Sequence, residues 1–244
     1  LKAQNILSYQ RVNESRNSRL YQDEWLNVNS ESVEVLAWTS KFALQTSKWG
    51  KIHFGTDFQY NHVSSNGFDR NINNGTERFA LSRYPVNGSD LLNSAIYINT
   101  EKDLSNKRMI TAGFRLNSTL MEVDFGQDNI LGVTQSNYQL NSLAPTFNVG
   151  FKKMGDKYDF GILLANGFKA PNVDGFGKVF IKRGVVVVPN VDLRSEFTYN
   201  LDLSIKRKWK SAYLNFVSYF TWIDQVMVED PYTLNGQDSL FLQN

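Results

Sequence analysis

Apolar residues in this chain recur at every second position, in one tract after another. That period describes a β-sheet with two chemically different faces. In KIHFGTDFQYNH, Ile52, Phe54, Thr56, Phe58 and Tyr60 share one face, and Lys51, His53, Asp57, Gln59 and Asn61 share the other. In EFTYNLDLSIK, Phe197, Tyr199, Leu201, Leu203 and Ile205 alternate with Glu196, Thr198, Asn200, Asp202 and Ser204. SAYLNFVSYFTWID sets Leu214, Phe216, Phe220 and Trp222 against Tyr213, Asn215, Tyr219 and Thr221, and TFNVGFKK and YDFGILLANGF behave alike. No stretch keeps an apolar stripe of helical period with caps, so no long helix is expected.

The pattern predicts strands at 2–12, 33–45, 51–63, 91–103, 108–117, 146–153, 158–168, 195–206 and 211–224. The connections at 46–50, 104–107, 154–157 and 207–210 are tight turns; those at 13–30, 64–90, 118–145 and 169–194 are long and polar. Short and long connections therefore alternate along the chain. Outer-membrane barrels do this, with short periplasmic turns and long external loops. Strands of about 9–11 residues also fit a tilted bilayer span. The expected fold is all-β: an antiparallel meander forming part of a large transmembrane outer-membrane β-barrel, short turns at one end and long loops at the other. Aromatic residues near strand ends (Phe54, Tyr60, Tyr199 and Trp222) suit its interfacial girdles. Nine strands is an odd count, while single-chain bacterial barrels are normally even. Residues 226–244 fall where the next long loop is due. The whole of 1–244 is therefore expected to be one partial barrel domain, its remaining strands supplied elsewhere.

Composition narrows the alternatives. The 244 residues carry a net charge of +2, too little to imply a nucleic-acid partner. The absence of cysteine removes disulfides and thiol chemistry, and His53 and His62 alone do not make a His-rich metal site. No apolar run approaches the ~18 residues of a membrane helix. A mean hydropathy of −0.38 suits a barrel as well as a soluble domain, because only alternate residues meet lipid. No phosphate loop or hydrolase constellation is present, so neither an enzyme nor a cofactor is expected. A soluble all-β ligand- or glycan-binding module and a passive porin remain as alternatives.

Two boxes point to a family. GFKAPN is followed by VVVVPNVDLRSEFTYNLDLSIK. Together they resemble the C-terminal barrel half of TonB-dependent outer-membrane receptors, in which a box like FRAP ends an outgoing strand and one like NPDLKPE ends the next external loop. Phe168, Lys169, Ala170, Pro171 and Asn172 match the first box, with Lys for Arg. Pro189, Asn190, Asp192, Leu193 and Glu196 match the second, which departs at Val191, Arg194 and Ser195. SYQRVNESRNSR and LSRYPVNGSD resemble the haem and haemoglobin receptor branch. The resemblance implies energised uptake of a scarce nutrient, often an iron complex (siderophore or haem), in the outer membrane of a Gram-negative bacterium. It implies outer-membrane lipid around the wall, and a TonB complex acting through a plug domain and TonB box that are not found in 1–244.

The same reading supplies candidate ligand contacts. Ala170 and Pro171 stop the strand ladder, because proline has no N–H to donate. Receptors of the haem branch commonly place a histidine between the boxes, but 172–188 holds none. His62 lies near the outer end of its strand. Arg83 on the 64–90 loop, and Lys178, Lys182 and Arg183 between the boxes, give the outer end a positive field for an anionic ligand.

Overall fold

The computed structural model describes residues 1–80, 82–85, 87–104, 107–124, 137–176, 180–182, 185–188, 190, 192–234 and 237–243. The strands are β1 Lys2–Ser18, β2 Trp25–Thr46, β3 Gly50–Asn71, β4 Glu77–Phe79, β5 Ser89–Leu104, β6 Arg108–Asp124, β7 Asn137–Met154, β8 Tyr158–Lys169, β9 Phe180–Lys182, β10 Val185–Val188, β11 Glu196–Lys208, β12 Tyr213–Asp224, β13 Val228–Leu234 and β14 Gln237–Gln243. A four-residue helix, α1, covers Val173–Phe176. The main sheet runs β1-β2-β3-β5-β6-β7-β8-β11-β12, with β4 paired to β3. All nine expected strands are present in the expected order, and every pairing among the described residues of this sheet is antiparallel.

Register assigns the faces, since residues directly opposite in antiparallel strands point the same way. One ladder row carries Leu44, Ile52, Thr100, Ala112, Val149, Leu164, Leu201 and Phe220. The next includes Phe42, Phe54, Ile98, Phe114 and Phe147, with the Phe42 and Phe54 rings stacked at 5.2 Å. Leu203, Ile205, Leu214 and Phe216 belong to this face, while Asn200, Asp202, Ser204, Asn215 and Thr221 belong to the other. The apolar face is a continuous exposed wall, from Phe54 and Phe114 to Leu203 and Phe220. An apolar surface this extensive is not left in water. It is the outward face of a partial barrel.

The short turns fall together at one end. Gly50 has φ +75°, and a Cβ there would lie 2.2 Å from the Glu101 carbonyl, so the first turn needs glycine. At the neighbouring turns Lys107 Nζ bonds Asp156 (2.5 Å) and Lys208 Nζ bonds Asp159 (2.7 Å).

The other end corrects the expected boundaries. Residues 13–18 and 25–30 are strand rather than loop, as are 64–71, 118–124 and 137–145. Their apolar signal fades, but the backbone ladder does not need it. Polar cross-strand bonds take over, such as Asn27 Nδ2 to Asp69 Oδ1 at 2.9 Å. A second sheet, β13-β14-β10-β9, was also not foreseen; in it β10 and β14 run parallel. It joins the segment between the two boxes to 228–243, where the alternation of turns and loops predicts a loop.

Candidate functional site at the loop end

The first box closes β8 and turns the chain onto the inner face. Phe168 stays outward, its ring 6.5 Å from that of Phe197. Lys169 is opposite Glu196, the last residue of the second box. After half-buried Ala170, Pro171 is buried. The Asn172 side chain accepts the Gly175 N–H at 2.9 Å and starts α1. In the second box Asn190 Oδ1 accepts the Asp192 N–H at 2.9 Å, and Leu193 is 3% exposed. Glu196 Oε2 accepts the Met227 N–H at 3.1 Å. Pro189 lies outside the described residues.

A proline makes room for this inward turn. Pairing between β7 and β8 ends at Asn148 and Ala165. Beyond it, Asn166 accepts the Phe147 N–H (2.6 Å) and donates to the Pro145 carbonyl (3.1 Å), replacing the ladder with a side-chain amide. Ser195 then reaches Ser142 of β7 at 2.6 Å. Val173 packs with Met121, Val123 and Leu140, and Tyr84, Leu91 and Tyr138 close over them. The Tyr84 hydroxyl donates to Asp174 at 2.7 Å. Burial, and then that bond, push the Tyr84 phenol up to about 12. Tyr84 and α1 are thus clasped together against the inner wall.

Below the clasp the inner face is polar. A hollow of about 430 Å³ is lined by Lys41, Asp57, Tyr97, Asn99, Arg115 and Asn148, among others. Arg115 bonds Asp57 at 2.5 Å and Asn117 at 2.6 Å. Its guanidinium stands 5.7 Å from the Tyr97 ring. Sequence reading put Asp57 on the polar face but did not find Arg115, because nothing local connects positions 58 apart. Tyr84 and Asp174, 90 apart, escaped for the same reason.

Of the candidate ligand contacts, Arg83 and His62, whose side chains are described, stand apart. Arg83 belongs to the clasp: it is 3.7 Å from the nearly buried Glu31 and 5.3 Å from the Tyr84 ring. His62 is on the outward face with Tyr60, where its Nδ1 is 2.8 Å from Asp90 and Tyr60 also bonds Asp90. It faces away from the polar hollow. Lys178 and Arg183 lie outside the described residues, and of Lys182 only the backbone, in β9, is described.

No protein-family model and no curated protein matches the sequence. Solved structures do match. The copper transporter OprC superposes with a TM-score of 0.78 at 11% identity, over 99% of this chain and 38% of that one. The fold is that of part of a large outer-membrane β-barrel. A double mutant of the Serratia marcescens hemophore receptor HasR, in complex with its hemophore HasA and heme, superposes at 0.62 with 6% identity, over 99% of this chain and 44% of that one. The chain thus spans less than half the length of either receptor.

Proposed function

We propose that the chain is part of the barrel wall, with external loops, of a TonB-dependent receptor in the outer membrane of a Gram-negative bacterium. Its role is to import a scarce nutrient, most simply an iron complex such as a siderophore or haem. One observation carries this reading: a meander whose β2–β3, β5–β6, β7–β8 and β11–β12 turns share one end superposes along 99% of its length on a transporter barrel, with an apolar outward wall. Energy enters through the TonB complex, acting on a plug domain that such receptors carry in the lumen.

The ligand arrives at the loop end. Lys178, Lys182 and Arg183 lie between the two boxes, where cations concentrate an anion. Arg83 adds a guanidinium at the clasp. The field of such groups weakens as salt screens it over ~8–10 Å. Intact receptor is titrated with ferric siderophores, haem and copper at two salt concentrations, alongside a variant with Lys178, Lys182 and Arg183 all replaced by Gln. The variant should lose affinity for the true ligand, chiefly at low salt, and uptake should require TonB. Unchanged affinity removes the loop cations from recognition. TonB-independent flux favours a passive pore, and a protein that stays monomeric in water without detergent favours a soluble binding module.

A further inference from the structure

The outward face changes sign from one end of the wall to the other. On β5 the tract Leu92–Thr100 carries no charge at its outward positions and lies between Asp90 and Lys102. On β6 the tract Ile110–Leu120 lies between Arg108 and Glu122. At the short-turn end Phe151 of β7 is followed outward by Lys153, and Ile205 of β11 by Arg207. The loop end carries Glu34, Asp90, Glu122 and Asp224 in the same outward register. The short-turn rim is basic where the outer rim is mainly acidic.

Within the basic rim, Arg108 and Lys153 stand directly opposite each other and both are exposed. Like charges in that position destabilise a sheet. Among the described residues neither has an ion-pair partner, and the nearby turn carboxylates are engaged, Asp156 with Lys107 and Asp159 with Lys208. Two strands along the same rim, the Arg207 guanidinium is 4.7 Å from Trp209 and 5.8 Å from Tyr158, and all three residues are exposed. The next outward row holds exposed Ile110 and Phe151. An anion bridging Arg108 and Lys153 therefore sits directly above an apolar surface, and rings of this kind belong at a membrane–water boundary. A free inorganic anion has nothing to place on that surface; a phospholipid has acyl chains.

We propose that Arg108 and Lys153, on a rim that also carries Arg207, Trp209 and Tyr158, bind the phosphate of anionic phospholipid headgroups in the leaflet at the short-turn end. This rests on the membrane-wall reading above. The phosphate relieves the repulsion of the opposed cations, and the chains cover Ile110 and Phe151. The acidic outer rim repels the same lipid, so the site also favours one orientation of the wall.

The test uses the whole protein that carries this chain, in nanodiscs of phosphatidylcholine with a minor share of phosphatidylglycerol. Bound lipid is counted by native mass spectrometry after release from the disc. Each cation near an anionic surface contributes about 1 kcal/mol, about fivefold in affinity. Arg108→Gln with Lys153→Gln should therefore reduce phosphatidylglycerol retention about 25-fold. Arg108→Lys with Lys153→Arg should keep it, as should Lys152→Gln with Lys206→Gln on the inner face. Heat-modifiable electrophoretic mobility confirms that each variant is folded. Equal retention by the Gln pair and wild type overturns the proposal, and so does full displacement by inorganic phosphate at matched concentration. Failure to enter any bilayer overturns the membrane reading and this inference with it; entry without lipid preference overturns this inference alone.

Discussion

Leu203→Arg puts the assignment of faces at risk in one residue. Leu203 is 46% exposed on the outward face, between Ile162 of β8 and Ser218 of β12. It lies five residues from Lys208, the turn end of β11. At ~3.3 Å per residue and a tilt of ~40°, that is about 13 Å along the membrane normal, close to the middle of an apolar band ~25 Å tall. Arginine at mid-depth on the lipid face costs about 2–4 kcal/mol, or a shift of about 30- to 900-fold in the folding equilibrium. Ser204, the next residue, faces inward against Gly161, where an added Cβ would meet the Ser204 hydroxyl at 2.5 Å. From there an arginine extends into a wet lumen, and Ser204→Arg should cost under about 1 kcal/mol. Urea titration of folding into liposomes, read by heat-modifiable mobility, measures both. Equal destabilisation by the two substitutions would refute the face assignment, and so would a greater loss from Ser204→Arg.

Three further outcomes follow from named contacts. Tyr84→Phe removes the bond to Asp174 and should loosen the clasp by about 0.5–1.5 kcal/mol, seen as faster hydrogen exchange at 172–175 with the wall unchanged. Because the folded Tyr84 phenol is raised to about 12, its contribution is whole below pH ~10 and lost as pH rises from there to about 12. The wild-type clasp should open in that window, while Tyr84→Phe should show no such step. Gly50→Ala forces a left-handed backbone on a side chain whose Cβ meets the Glu101 carbonyl at 2.2 Å. It should cost at least ~1–2 kcal/mol in the same urea titration, whereas Gly75→Ala, also at positive φ but with open space around it, should cost only the backbone term.

The sequence made the wall legible because lipid imposes a strict period of two. Leu201, Leu203 and Ile205 face out and Asn200, Asp202 and Ser204 face in, as the alternation requires, since a slip of one residue would put Asp202 in hydrocarbon. Legibility stopped where lipid stops. β1 and β2 continue through Glu14, Ser15, Ser30 and Glu31, whose polar side chains give no periodic signal while their backbones still pair. Pro145 looked like a loop residue, yet it sits within β7 and only ends the pairing on the β8 side. The clasp was illegible for another reason. Tyr84, Leu140 and Val173 are ordinary residues in three separate segments, and only the inward turn after Pro171 brings them together. Residues of the two boxes make local contacts at the loop end: Asn172 caps α1, Leu193 is buried, and Glu196 accepts the Met227 N–H ahead of β13.

Lipid contact along one strand tests the central claim most directly. The chain has no cysteine, so each introduced thiol is a single probe within it. Cysteines placed in turn at 200–205 of β11 carry an environment-sensitive fluorophore, and brominated phospholipid serves as a quencher confined to the bilayer. Strong quenching at 201, 203 and 205 and weak quenching at 200, 202 and 204 is the result this account predicts. Uniform quenching along the six positions, or none in protein that is folded without lipid or detergent, would contradict a transmembrane barrel wall.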